Sequence, residues 1–378
     1  RGKTQRHKVI DSAEHNQYTR AAEYLQSWVT EGALREDDRD TLYGYVQDFE
    51  LDGASFQRLS FIALARLEDF GKVVRPHEQV FEKPMLDRLN LERATAARFG
   101  LVFMLYEDPQ GIADKVIARA ATEKPLIDFV DEQGVRHRLY AITAEDEIQA
   151  VETMMRDKSC IIADGHHRYT TGLKYMRESG NPKARYQMIA FTNSRQEGLV
   201  VLATHRLVGG IAGFQRGEFL ARLGQSFRLT EFPSPKGAPE QGRQQMLAEM
   251  RRQHGRDQTV FGVYAGGESF YVAALENKAL MAAAAPDKSE AWRTLDIAVL
   301  QKLVLEGLLG LDAEKMGNPE YIEYIKDVPH AMSVMIERVA AGGKQVAFFT
   351  NPVKMPHLAR ITEAGERMPH KSTYFYPK

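Results

Sequence analysis

Within five consecutive residues, Asp164-Gly165-His166-His167-Arg168, the chain gathers a carboxylate, a glycine, two imidazoles and a guanidinium. These are the groups that phosphoryl transfer uses, since that chemistry asks mainly for positioning and neutralisation of charge. Gly165 would let the backbone approach a phosphate, and Arg168 offers a planar fork of donors for its oxygens. His166 and His167 can donate to phosphate, one of them acting as acid on the leaving oxygen. Asp164 could hold magnesium, which favours one or two carboxylates alongside phosphate oxygens. Plainer roles compete with each of these: an Asp-Gly pair forms turns, and paired histidines cap and pack.

The elements on either side decide which role is available. Cys160 to Ala163 is a short apolar run with the length and texture of a buried strand. Thr170 to Glu178 reads as a helix, with Tyr169, Leu173 and Met176 recurring on one face. The polar cluster therefore falls where a strand ends and a helix begins. Free N–H groups and the positive end of the helix dipole attract an anion at such a corner.

A second concentration of ionisable groups runs from Gly71 to Arg88, with proline at Pro76 and Pro84, and reads as a charged surface loop. Transfer to a hydroxyl needs a base; Glu78 is the first candidate and His77 the second. Arg75, Arg88 and Lys371 are candidate anion clamps if their segments fold back over the corner. His77-Glu78 resembles the opening of a zinc-protease helix, but Phe81 stands where the second histidine ligand would be, which excludes that reading. A different metal chemistry stays open, in which Asp164, His166, His167 and His77 bind a transition metal that activates water on a phosphoester.

Taken in order, Tyr18 to Val29 is an amphipathic helix, and Thr41 to Leu51 with Gln57 to Leu67 forms a hairpin about Asp52-Gly53. A short helix follows over Leu91 to Arg98, a strand over Gly100 to Tyr106, and a helix over Ile112 to Ala121. A hairpin turns at Asp131 to Gly134, and a helix from Ala144 to Arg156 leads into the central strand. Later strands are expected over Tyr186 to Thr192, Leu199 to Thr204, Thr259 to Tyr264, Ser269 to Leu275 and Gln345 to Thr350, with His205-Arg206 just past the second of them. Helices are expected over Glu240 to Gln253 and Leu295 to Leu309, and the Pro/Gly-rich Phe232 to Pro239 is a loop. The fold class is α/β, mixed α+β, with a domain over 1–205 carrying the corner and a second α/β domain over 206–378 whose last segment could return to the site.

The 378 residues carry 50 basic and 51 acidic side chains, so no electrostatic footprint for nucleic acid or an anionic membrane is expected. The one cysteine, Cys160, excludes an internal disulfide framework and lies inside the expected strand as a small buried hydrophobe. No apolar run spans a bilayer and no signal peptide is visible, so a cytoplasmic protein is expected. Arg1-Gly2-Lys3 opens the chain without a methionine, and a missing N-terminal piece is expected.

Three blocks in order resemble the bacterial and archaeal "domain of unknown function 1015" proteins: Arg75-Pro76-His77-Glu78 with Asp87-Arg88; Ala163 to Tyr169; and Met368 to Lys378. Leu295-Asp296-Ile297-Ala298-Val299-Leu300 fits as a fourth. Gly165-His166-His167-Arg168-Tyr169 is also similar to the nucleotide-phosphate loop of sulfiredoxin and of the ParB-like free-serine kinases, although sulfiredoxin needs a cysteine where His166 stands. The resemblance implies a ParB/sulfiredoxin-like nucleotide-binding core and an enzyme of the phosphotransferase or kinase type. Its implied partners are a nucleotide (ATP or ADP), Mg2+ and a small hydroxylated substrate such as serine or phosphoserine. The alternatives are the metal-dependent phosphoester hydrolase and a non-catalytic nucleotide sensor. Oligomeric state is left open.

Overall fold

The computed structural model describes residues 12, 14–80, 82–234 and 239–378; the opening Arg1 to Lys3, Phe81 and residues 235–238 of the Pro/Gly-rich loop lie outside them. The chain forms two units, the first ending at Leu199 and the second beginning at Val200.

The first unit contains, in order, α1 (Gln17–Thr30), β1 (Leu42–Leu51), β2 (Ala54–Arg66), β3 (Val74–Arg75), α2 (Glu82–Thr95), β4 (Val102–Tyr106) and α3 (Ile112–Ala120). It continues with β5 (Ile127–Val130), β6 (Arg136–Ile142), α4 (Glu145–Met155), β7 (Cys160–Asp164), α5 (His166–Ser179) and β8 (Tyr186–Asn193). Its eight-stranded sheet has the order β3-β7-β4-β8-β2-β1-β6-β5. The β1–β2 hairpin turns at Asp52-Gly53 as the alternation predicts, with Leu51 opposite Ala54. β3 runs parallel to β7 and β4 parallel to β8, and the remaining neighbours are antiparallel. Phe61, Tyr106, Ile117, Val151, Ile162, Tyr169 and Phe191 form the core between sheet and helices. Cys160 is buried there, and burial pushes its thiol up to about 12, so it stays protonated and serves as packing.

In the second unit the strands are β9 (Val200–Leu202), β10 (Thr204–Val208), β11 (Arg228–Pro233), β12 (Val260–Tyr264), β13 (Ser269–Ala274), β14 (Ile322–Lys326), β15 (Val346–Phe349) and β16 (Tyr374–Tyr376). Six of them form an antiparallel sheet in the order β11-β13-β12-β15-β10-β14, and β9 pairs with β16. Helices over Pro239–Gly255 and Ala331–Ala340 contribute Met246, Met250, Met335 and Val339 to its core. The architecture is mixed α/β with large sheets, as expected.

Several local expectations are corrected. The charged segment before Leu91 is helical from Glu82 onwards, because Pro84 sits in the first turn of α2, where its missing N–H costs no intrahelical bond. His205 and Arg206 lie inside β10 rather than beyond a strand, as two buried side chains between β14 and β15. The apolar stretch after Leu295 is helical over Asp296–Val299 and then widens into a π-helix over Leu300–Glu306. No helix among the described residues is long and apolar enough to cross a membrane.

Candidate functional site

β7 ends at Asp164, Gly165 takes a left-handed conformation (φ 98°, ψ 24°), and α5 begins at once with His166. The helix starts four residues earlier than its apolar periodicity predicts, so His166, His167 and Arg168 form its first turn. No acidic side chain occupies that turn. Basic groups at the positive end of a helix are unfavourable unless an anion joins them.

Arg168 folds back over the corner. Its Nη2 donates to Asp164 Oδ2 at 2.5 Å, and a side chain at Gly165 would bring a Cβ within 3.1 Å of its Nε and Nη2. Gly100, just ahead of β4, makes room on the other side: a Cβ there would meet Arg168 Nη1 at 3.1 Å. Burial pushes the Arg168 guanidinium down, with Asp164 opposing and the charge of Arg88 adding to the depression. His167, half-buried, is also pushed down, first by burial and then by Arg88, while Asp164 opposes. Arg88, on α2, therefore shares the corner with both residues.

The loop after β3 arrives at the same place because β3 and β7 are parallel, so the chain leaves both strands at one end of the sheet. His77 is fully buried there, and its Nδ1 donates to the Ile162 carbonyl at 2.7 Å. Burial pushes the His77 imidazole down to about 4, against the opposing effects of the Ile162 carbonyl and of Asp164. His166 is 3% exposed, and its Nε2 accepts the backbone N–H groups of His77 at 3.2 Å and Glu78 at 3.4 Å. An accepting Nε2 leaves the proton on Nδ1, which stands 3.9 Å from Glu78 Oε2. His166 is thus a clamp between helix and loop, whereas the half-exposed Glu78 and His167 remain reachable from solvent.

Asp164, Gly165, His166, His167, Arg168, His77, Glu78 and Arg88 are thereby brought together. Arg75 directs its Nε to the Lys72 carbonyl in its own loop, 3.3 Å away. Lys371 belongs to the second unit, with its ammonium 4.6 Å from the centre of the Tyr324 ring. Gly100 was missed; its sequence neighbours carry no signal, and only the pairing of β4 with β7 gives it a place. Among the described residues no three side chains of metal-binding type are grouped to hold a metal ion.

A family model described as "Protein of unknown function (DUF1015)" matches residues 3–298. A comparison with curated proteins finds no match. Among solved structures, the chain is similar to a free serine kinase in complex with AMP, at 14% identity and a TM-score of 0.38 over 83% of this chain and 86% of that one. It is similar to a conserved hypothetical protein from Pyrococcus furiosus at 11% identity and a TM-score of 0.37, over 83% and 89% of the two chains. SbnI with a C-terminal truncation, from Staphylococcus aureus, matches at 12% identity and a TM-score of 0.38, over 83% and 82%. At that level of similarity the function must be read from the site itself.

Proposed function

The chain belongs to the DUF1015 family of proteins of unknown function, and from that premise we propose that it is a nucleotide-dependent phosphotransferase acting on a small hydroxylated metabolite, with serine or phosphoserine first. The observation that carries the reading is the geometry at the start of α5, where Gly165 turns left-handed, Arg168 folds back over it and no acidic side chain occupies the first turn. Arg168 and His167 are each pushed down by burial and by Arg88, and Asp164 is the carboxylate that opposes the effect on both. That arrangement is poor for an empty helix terminus and good for one that receives a phosphate.

In this reading the backbone after Gly165 and the forks of Arg168 and Arg88 hold the phosphate oxygens. His167 acts as acid on the leaving oxygen, the charge of the bound phosphate opposing the depression by burial and Arg88 and favouring its protonated form. Glu78 acts as base on the acceptor hydroxyl, and His166, bonded to its backbone and facing its carboxylate, positions it. Asp164 would hold magnesium together with the phosphate's own oxygens, which would neutralise developing charge. The test is a thermal-shift titration with ATP, ADP and phosphoserine, with and without magnesium. A nucleotide-dependent rise in melting temperature that disappears in Arg168→Ala is expected; no rise in the unmodified chain would end the reading.

A further inference from the structure

The edge of the second unit's sheet carries a concentration of positive charge that phosphoryl transfer at Gly165 does not use. β10 and β14 are antiparallel neighbours, with Arg206 opposite Tyr324 and Thr204 opposite Lys326. Strand alternation puts Arg206, Tyr324 and Lys326 on one face. Arg206 is 2% exposed and lies 5.1 Å from the centre of the Tyr324 ring. Its guanidinium donates to backbone carbonyls: that of Thr204, and those of His370 at 3.2 Å and Lys371 at 3.3 Å. Burial pushes it down to about 10, with the Tyr324 hydroxyl opposing.

The C-terminal segment adds a further cation, Lys371, and the imidazole of His370 beside the same tyrosine. The Lys371 ammonium stands 4.6 Å from the centre of the same tyrosine ring, on a left-handed backbone (φ 53°) that a lysine rarely adopts. The His370 ring meets Tyr324 edge-on at 5.9 Å, and Lys326 stands 4.0 Å from the ring centre of Tyr374. Of the nearby acids, Glu323 pairs with Arg338 and Lys344, and Asp327 Oδ1 stands 3.3 Å from His205 Nε2. Among the described residues neither Arg206 nor Lys371 forms an ion pair, and a buried guanidinium whose partners are all neutral keeps its charge uncompensated.

We propose that this face is a second oxyanion site, taking the phosphate group of a small phosphorylated metabolite. Lys371 and His370 meet the anion from the exposed side. Arg206 lies beneath them, supplying buried charge and fixing the loop through the carbonyls of both residues. A phosphate dianion suits this concentration of cations better than a single carboxylate does.

The test is calorimetric titration of inorganic phosphate at constant ionic strength, using the full chain with Arg168→Ala so that the corner at Gly165 is disabled. That chain is expected to bind phosphate, and adding Lys371→Met is expected to weaken binding by about tenfold or more with an unchanged melting temperature. If Lys371→Met melts early, His370→Gln decides in its place, with the same weakening expected. Absence of phosphate binding in the Arg168→Ala chain, or undiminished binding after the second substitution, overturns the proposal. Neither result bears on nucleotide binding by the unmodified chain, so this site and the one at Gly165 stand or fall separately.

Discussion

The imidazole of His166 accepts the backbone N–H of His77 at 3.2 Å, while the two rings meet edge to face with their centres 4.6 Å apart. One side chain thus fastens the start of α5 to the loop that carries Glu78. His166→Phe keeps the ring and removes the acceptor, stranding two backbone donors, and should cost about 1–3 kcal/mol. Urea unfolding at pH 7 measures this, and His166→Gln, which retains an acceptor, should lose less. Equal stability for Phe and the native residue would deny the clamp.

His77 gives the fold a pH dependence with a definite sign. A histidine in the unfolded chain protonates near 6.5, whereas burial holds His77 to about 4. Between those values the unfolded chain binds more protons, so the contribution is complete above pH 6.5 and is lost as the pH falls towards 4. It amounts to on the order of 3 kcal/mol. His77→Asn keeps a donor for the Ile162 carbonyl without the titration, so the native-minus-variant stability difference should shrink across that window. A difference that stays constant from pH 7 to 4.5 would count against a buried neutral His77.

Arg88 depresses the proton affinity of His167. Arg88→Ala should therefore raise the His167 pKa, as read from the imidazole proton shifts during an NMR titration. The same variant should weaken nucleotide binding less than Arg168→Ala does, for which about tenfold is expected. An unmoved His167 titration would separate Arg88 from the corner.

Two glycines of one helix separate strain from crowding. Gly165 and Gly180 cap the two ends of α5 in left-handed conformations, but only at Gly165 would a Cβ press on the Arg168 guanidinium. Alanine at either position should cost about 1 kcal/mol or more for the backbone. Only Gly165→Ala should also weaken nucleotide binding, and parity between the two variants in a binding titration would remove Arg168 from the phosphate seat.

Glu78→Gln retains the side chain's size and removes its basicity. Nucleotide affinity should be unchanged and transfer to a serine-type acceptor abolished, as followed by labelled phosphate. Turnover at the native rate would exclude Glu78 as the base.

The corner was legible in the sequence because an apolar run, a turn pair and a polar cluster stand side by side between Cys160 and Arg168. The β1–β2 hairpin was legible for the same reason, since Asp52-Gly53 punctuates two alternating strands. The start of α5 was misplaced because its first turn is polar and periodicity sees only apolar faces. Only the later part of α2, from Leu91, is legible as helix, because charge and proline dominate its opening and read as loop, although proline is tolerated in a first turn. That β3 and β7 are parallel neighbours, which brings His77 to His166, is a matter of pairing between distant segments, and no local pattern encodes it.

β3 contributes only Val74 and Arg75 to the ladder, and it is the outermost strand of its sheet. Few bonds must break to lift such a margin, so it belongs to the part of a protein that opens first. The proposed phosphate seat lies at the start of the fourteen-residue α5, while the carboxylate of Glu78 is carried just past this thin fringe. The amides of His77 and Glu78 should then exchange with deuterium sooner than those of β7, giving the two halves of the corner separate tempos.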